Sequence, residues 1–402
     1  MKKFLQTLLL ALMICNVASA ASGEIFEDEK VVIESPEKKS PETKSPAEKN
    51  LPAEKNSPAE MNFEDEEIIL EPTTPEPKTS EPTVPEPKTS EPPENFRPVI
   101  ISFAGDCALD SFLLENYWKN GAGYFLGNVK EIFAADDVTF VNLEGPLTAH
   151  PTTVDKEFPL RGETKYVEIL TSSSVELCNL ANNHIHDCGD VGFADTVNLL
   201  RANGVKFCGE GYSEIFDVRG MKIGFLGYQA WSDSDYLREK ISADIKNLRG
   251  ERGAEIVVVE FHWGEELDHF SRSYQEQLAH FTADSGADII VGAHPHVMQG
   301  IELYNGKIIA YSLGNFCFGA NSNPRDKETF ILQTTLTRDA EKISVTPKII
   351  PCRISSTTAY NDFCPTPVTG TDAEQILNHL KEYSKIYAQT IKFFGLRRWF
   401  YE

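Results

Sequence analysis

The chain has 402 residues, 41% of them apolar, and a formal net charge of −23. A field of that sign repels nucleic acid and anionic lipid, which excludes nucleic acid as a partner. Counted along the sequence, residues 1–20 carry +2, residues 21–97 carry −11 and residues 98–402 carry −14.

Lys2 and Lys3 precede an apolar run from Phe4 to Val17, and Ala18-Ser19-Ala20 before Ala21 fits a signal peptidase site. Residues 1–20 therefore read as a signal peptide of a protein exported to the cell envelope or beyond it, with retention as an N-terminal membrane anchor the alternative. Residues 21–97 read as a disordered, acidic, Pro-rich linker. A six-residue unit at 45–50 recurs in near-copy at 51–56 and 57–62, and a ten-residue unit at 71–80 returns at 81–90 with Val84 for Thr74. Thirteen of the 23 prolines fall here, blocking helix and sheet and favouring extended polyproline II. Few large apolar side chains are present to offset the entropy of ordering the backbone.

From residue 98 the pattern changes to apolar strand runs separated by amphipathic helices. Val99–Ala104 ends at Gly105-Asp106, Val138–Val141 ends at Asn142-Leu143-Glu144, and Val175–Leu180 ends at Ala181-Asn182-Asn183-His184. Met221–Leu226 is a further strand, Ile256–Phe261 ends at His262-Trp263-Gly264, and Ile289–Val291 ends at Gly292-Ala293-His294-Pro295-His296. The spacing of apolar residues predicts helices over 193–203 and 274–285. Asn305-Gly306 between 301–304 and 307–311 signals a hairpin. This alternation predicts an α/β fold with buried sheets over 98–350. Residues 351–402 read as a C-terminal extension with a helix over 373–394, ending in Leu396-Arg397-Arg398-Trp399-Phe400. Seven cysteines remain beyond the signal peptide, without a Cys-x-x-Cys pair; Cys352 with Cys364 is a conceivable disulfide, and Cys107, Cys178 and Cys317 read as buried hydrophobes.

Five strand ends carry groups that bind metal or move protons: Asp106, Glu144, Asn183-His184, His262, and His294 with His296. In open α/β sheets the ligand crevice lies beyond the carboxyl ends of the strands. Imidazole, carboxylate and amide oxygen together suit manganese, iron or zinc, in one or two sites, rather than calcium. Taken singly the elements are weaker: Asp106 after a glycine is an ordinary turn residue, and Glu144 an ordinary loop acid. His294-Pro295-His296 is sharper, because i and i+2 on a strand end point to different sides and can serve two neighbouring ions. His186 and Asp187 read as supporting residues, and His150, His269, His280 and His379 as structural or exposed.

The order Gly-Asp, Asn-Leu-Glu-Gly-Pro-Leu-Thr, Ala-Asn-Asn-His, His-Trp-Gly-x-Glu, Gly-Ala-His-Pro-His and Tyr-Ser-Leu-Gly-Asn-Phe over about 98–320 resembles the bacterial CapA family of capsule, or poly-γ-glutamate, synthesis proteins. That resemblance implies the double-sheet sandwich of calcineurin-like metallophosphoesterases with a di-metal centre. It implies Glu144 as the bridging ligand, Asn183, His262 and His294 on one ion, Asp106 and His296 on the other, and His184 as proton donor. The sequence departs from the wider superfamily at Asp106-Cys107-Ala108, where Asp-x-His is usual; neither Asn142 nor Asp110 is assigned to the gap. The expected function is metal-dependent phosphoester hydrolysis, with a non-catalytic accessory subunit of capsule polymer synthesis or export as the alternative. Expected partners are the capsule polymer or a phosphorylated envelope substrate, and membrane subunits of a capsule synthase.

Overall fold

The computed structural model describes residues 97–339 and 342–387. The expected signal peptide, nearly all of the linker and the chain after residue 387 lie outside the described residues.

Two sheets form the body. In the first, β1 (Val99–Cys107), β2 (Val138–Leu143), β3 (Leu177–Asn179) and β4 (Lys206–Cys208) run parallel. The other edge of β1 pairs antiparallel with β11 (Glu328–Asp339), which forms a long hairpin with β12 (Lys342–Arg353), and β13 (Thr366–Pro367) closes that side. The second sheet has the order β5-β6-β7-β8-β10-β9. It is built from β5 (Glu214–Val218), β6 (Met221–Ala230), β7 (Ile256–Trp263), β8 (Ile289–Ala293), β9 (Ile301–Tyr304) and β10 (Lys307–Ala310).

The side-chain period of two along each strand sorts these residues into layers. Phe103, Phe140 and Leu177 join Phe225, Val258 and Val291 in a core between the sheets, where the rings of Phe140 and Phe225 meet edge to face at 5.5 Å. Their neighbours Ala104, Val141 and Cys178 face outward and are covered by α1 (Gly189–Ala202), through Val197 and Leu200. On the far side Val257, Val259 and Ile290 pack under α2 (Asp235–Gly250) and α3 (Ser273–Asp284). Ile241, Ile245 and Leu248 of α2 recur at the spacing of one helical face, and Ser234 caps its first turn by accepting from Leu237 N. The result is the double-sheet sandwich, helices outside and sheets within. Strands buried on both faces explain the uninterrupted apolar runs.

The expected helices over 193–203 and 274–285 appear as α1 and α3, each beginning a little earlier. Asn305 and Gly306 make the hairpin turn with φ of 50° and 78°, the left-handed pair a two-residue turn requires. Two expectations change. The division at 350 falls inside β12, and Cys352, Phe363, Ile376 and Leu380 all lie in the cores, so the segment after 350 completes the fold rather than extending from it. The C-terminal helix α4 (Gly370–Tyr383) gives way to a 3-10 turn at Ser384–Tyr387. Among the described residues all seven cysteines are free and buried; Cys352 Sγ donates to Ile350 O and Cys364 Sγ to Tyr124 O, so the conceivable pair is not formed. Among the described residues no helix is long and apolar enough to cross a membrane.

Candidate metal centre

The carboxyl ends of β1, β2 and β3 in one sheet and β7 and β8 in the other converge on one buried cluster. Asp106 is placed by a bulge: the β1–β2 register slips between Ala104 and Asp106, leaving Gly105 as the extra residue. A Cβ on Gly105 would lie 1.8 Å from Gly314 O, so only glycine lets the 312–316 segment close in. That segment clamps the backbone of Asp106 on both sides, with Asp106 N donating to Gly314 O and Phe316 N to Asp106 O. Glu144 follows β2 directly and its N–H donates to Cys107 O at 3.0 Å.

The expectation for His294 and His296 is corrected here. Strand β8 ends at Ala293, and both histidines sit in the bend beyond it with φ of 93° and 58°. Left-handed backbone at two non-glycine sites, one on each side of a proline, is strained and persists only where surroundings enforce it. Here Asp106 accepts from His294 N at 3.2 Å, and Pro295 O accepts from Leu267 N at 2.8 Å. The turn, not strand alternation, separates the two rings.

His262, fully buried on β7, has its Nε2 2.7 Å from Asn183 Oδ1, while its Nδ1 faces Asn142 Nδ2 at 3.2 Å. Asn142 Nδ2 also donates to Asp106 Oδ1 at 2.8 Å, which places the His262 hydrogen on Nε2. His296 Nδ1 lies 3.1 Å from both Asp106 Oδ2 and Asn315 Oδ1, two acceptors, so Nδ1 carries a hydrogen, and Nε2 faces Glu144 Oε1 at 3.7 Å. Burial, reinforced by neighbouring imidazoles, lowers His262 well below the usual histidine range and His294 to about 4, keeping both in the neutral form that a metal ligand requires. Burial also pulls on His296, but the carboxylates of Glu144 and Asp106 outweigh it and raise the ring to about 9. Glu144 is pushed up to about 8, mainly by burial, against the pull of His296.

Glu144 is the group that needs explaining. Both of its carboxylate oxygens are buried with no hydrogen-bond donor among the described residues, and His294 Nδ1 is likewise without one. A buried carboxylate left unsatisfied costs several kcal/mol by order of magnitude, so native structures give such groups a partner. Ligand atoms of Asp106, Glu144 and His262 lie within 4.8 Å of one another, as do those of Glu266, His294 and His296. This donor set fits one or two divalent cations of the manganese, iron or zinc type.

His184 stands beside the cluster. Its Nδ1 donates to Asp187 Oδ2 at 2.6 Å, leaving Nε2 aimed at Glu144 Oε1, 3.8 Å away. Burial would raise Asp187, but the hydrogen bonds from His184 and Leu160 N outweigh it and hold the carboxyl below its ordinary value. Lys156 Nζ donates to Asp187 Oδ1 at 3.0 Å and to Asn183 O at 2.9 Å. The dyad opens on a cleft of about 670 Å³ that also includes Asn183, His296, Asn315 and Phe318.

Each residue singled out in the sequence reaches this place: Asp106, Glu144, Asn183, His184, His262, His294 and His296. Four others were not assigned. Asn142 ties Asp106 to His262; Asn315 stands beside Asp106 and His296; Lys156 braces the dyad; Glu266 groups with the two histidines of the turn. Asn142 and Asn315 carried a signal, each ending a strand-like run inside a quoted motif. Lys156 lies in an irregular loop and carried none. Ala108, where a histidine is usual, is buried against Leu160 and Phe318. Asp110 caps a short helix by accepting from Phe112 N, and so does not fill that gap. Away from the centre, His186, His280 and His379 lie beside Glu210, Glu302 and Glu328.

The chain is 33% identical over 267 residues to the PGA biosynthesis protein CapA of Bacillus subtilis (strain 168), covering 61% of this chain and 70% of that one. It is 29% identical over 314 residues to the capsule biosynthesis protein CapA of Bacillus anthracis, covering 71% and 74%. A probable polyglutamine synthesis accessory protein of Mycobacterium tuberculosis (strain CDC 1551 / Oshkosh) matches at 26% over 286 residues, 62% and 73% of the two chains. The crystal structure of 5'-nucleotidase from Candida albicans SC5314 overlaps with a TM-score of 0.40 at 11% identity over 73% of this chain and 58% of that one, too loosely to bear on activity. The model of the bacterial capsule synthesis protein PGA_cap family matches residues 100–320, which is more than half of the chain and spans every strand-end residue of the metal centre. The chain belongs to that family.

Proposed function

We propose that the protein is an exported, metal-dependent hydrolase acting on a phosphoester in the capsule or cell envelope. The observation that carries this reading is the donor-less Glu144 carboxylate, ringed by histidines and faced by the His184–Asp187 dyad. Asp106, Glu144, Asn183, His262, His294 and His296 would hold one or two divalent cations, with Asn315 and Glu266 beside them. A bound cation supplies Lewis-acid polarisation of a phosphoryl oxygen. The chain's own residues do the rest. Asp187 accepts from His184 Nδ1–H and orients the ring, so that the doubly protonated form of His184 passes its Nε2 hydrogen to the leaving oxygen while a water forms the new bond to phosphorus. Lys156 holds Asp187 and the Asn183 backbone in register, and burial keeps His262 and His294 neutral.

The test is elemental analysis of the purified protein together with turnover of a generic phosphodiester. His184→Ala should keep fold and metal while losing about 10²–10⁴-fold in rate, the usual contribution of an acid–base group. Turnover that survives this change would remove His184 from the reaction.

A second reading is favoured by one relative, which is named as an accessory protein of polyglutamine synthesis. In that case the metal centre rigidifies the loops of a non-catalytic subunit that binds the capsule polymer or the synthase membrane subunits. Metal-loaded wild-type protein would then show no phosphodiester turnover above buffer, and His184→Ala would support capsule formation as well as wild type.

A further inference from the structure

The cleft leading to the metal centre is lined on one side by the loop 319–327, which carries Arg325. Arg325 is exposed and has no hydrogen bond, ion pair or ring contact among the described residues. In this it stands apart from the other arginines there. Most of those face a carboxylate, as in Arg219–Asp137, Arg238–Asp233 and Arg249–Asp288; Arg252 donates to Ser213, and Arg201 lies over Phe207 and Tyr212. In a strongly acidic protein a free guanidinium has carboxylates to choose from, so its isolation reflects where the backbone puts it.

The backbone puts it there firmly. Asn361 Nδ2 donates to Phe318 O and Asn321 O, Asn361 N donates to Ser322 O, Gly319 N to Ala108 O, and Lys327 Nζ to Pro324 O. The buried Pro324 immediately before Arg325 restricts the turn further. The cleft's other cation is already committed, since Lys156 serves Asp187 and Asn183 O. Asp326 accepts from Glu328 N and lies 3.6 Å from His269 Nε2. Glu157 is the remaining charged side chain of the cleft outside the candidate cation groups, and it opposes an anion.

We propose that Arg325 forms a second-anion subsite: the ligand of this cleft carries, besides the group held at the metal centre, a carboxylate or phosphate that the guanidinium takes. The planar fork of arginine matches both oxyanions with paired N–H donors, and the loop backbone that carries it is already fastened. Phe158, Leu267 and Phe318 also line the cleft, giving the ligand's body between its two charged ends apolar side chains to lie against. This inference rests on the metal-centre reading above and adds to it a class of ligand, a molecule with two separated anionic groups.

The test uses the metal-loaded full chain and titration calorimetry. Its probes are phosphate monoesters of ω-hydroxyalkanoic acids of increasing chain length, each beside its terminal carboxamide and its terminal-phosphate counterpart. At one chain length the acid or the bisphosphate should bind about ten-fold tighter than the amide, the worth of a charged hydrogen-bond pair. The preferred arm tells carboxylate from phosphate. Arg325→Gln should bring that affinity ratio close to one, and Arg325→Lys should retain part of it. Equal binding of acid and amide at every length in wild type, or a ratio that survives Arg325→Gln, overturns the subsite, as does an amide that binds tighter through the influence of Glu157. Charge-selective binding without turnover of any ester upholds the subsite and removes the hydrolase reading; turnover without selectivity does the reverse.

Discussion

At the scale of single residues, the two halves of the metal centre are not equivalent. His262 is fully buried between Asn142 and Asn183. His296 has Asn315 beside it, which already shares its neighbour Asp106. His262→Ala should therefore remove most of the bound metal and His296→Ala only part of it, as read by elemental analysis after mild chelation. Equal losses would contradict the division of ligands. A separate residue governs stability against pH. Burial raises Asp136 to about 7, with Oδ2 accepting from Thr139 and Oδ1 buried without a donor. Its folded pKa thus exceeds the unfolded value of 3.8, so the folded state binds the extra proton and stability falls as pH rises between them. Asp136→Asn, with no proton to lose, should flatten the denaturant midpoint over that window relative to wild type. A variant whose midpoint falls with pH as steeply as wild type would remove Asp136 as the cause.

At the scale of elements, the site depends on irregularities in strands that otherwise read plainly. Gly105→Ala drives a Cβ into Gly314 O, and overpacking of this kind costs about 1–3 kcal/mol or more. The expected outcome is a lower unfolding midpoint together with lost metal, because Asp106 is the next residue; a variant with wild-type stability and metal content would refute the clamp. The parallel strands were legible because burial on both faces leaves unbroken apolar runs, and their carboxyl ends pointed to the ligand residues. The bulge at Gly105 and the left-handed turn at His294–His296 were not. Both are imposed by segments distant in the chain, 312–316 and 264–267, which local pattern does not contain. Lys156 was missed because a lysine in a loop is ordinary until tertiary contact places it; Glu266 closes the quoted His-Trp-Gly-x-Glu motif and was given no role. The β11–β12 hairpin also went unread, since β12 contains Pro347 and Pro351, and proline within a run argues against a paired strand.

At the scale of the molecule, the order in which the chain becomes available matters. Strand β1 sits between β2 and β11, with Val99 opposite Leu336, so the first sheet lacks its central pairing until residues far downstream arrive. Such long-range closures come late because loop entropy must be overcome first. The backbone clamp on Asp106 waits for 314–316, and the neighbouring cleft loop waits for the bonds from Asn361. A chain threaded through a membrane from its amino end therefore cannot build a working centre on the side it leaves. On the exported, metal-dependent reading proposed above, its metal would be drawn from the pool on the side where folding finishes, and supply there, rather than intrinsic affinity order, would decide which ion fills the site. Protein folded in the cytoplasm of an expression host would accordingly carry a different metal from the same chain recovered after export. Comparing the metal content of the two preparations tests that difference, and identical content would show that the ligand set alone selects the ion.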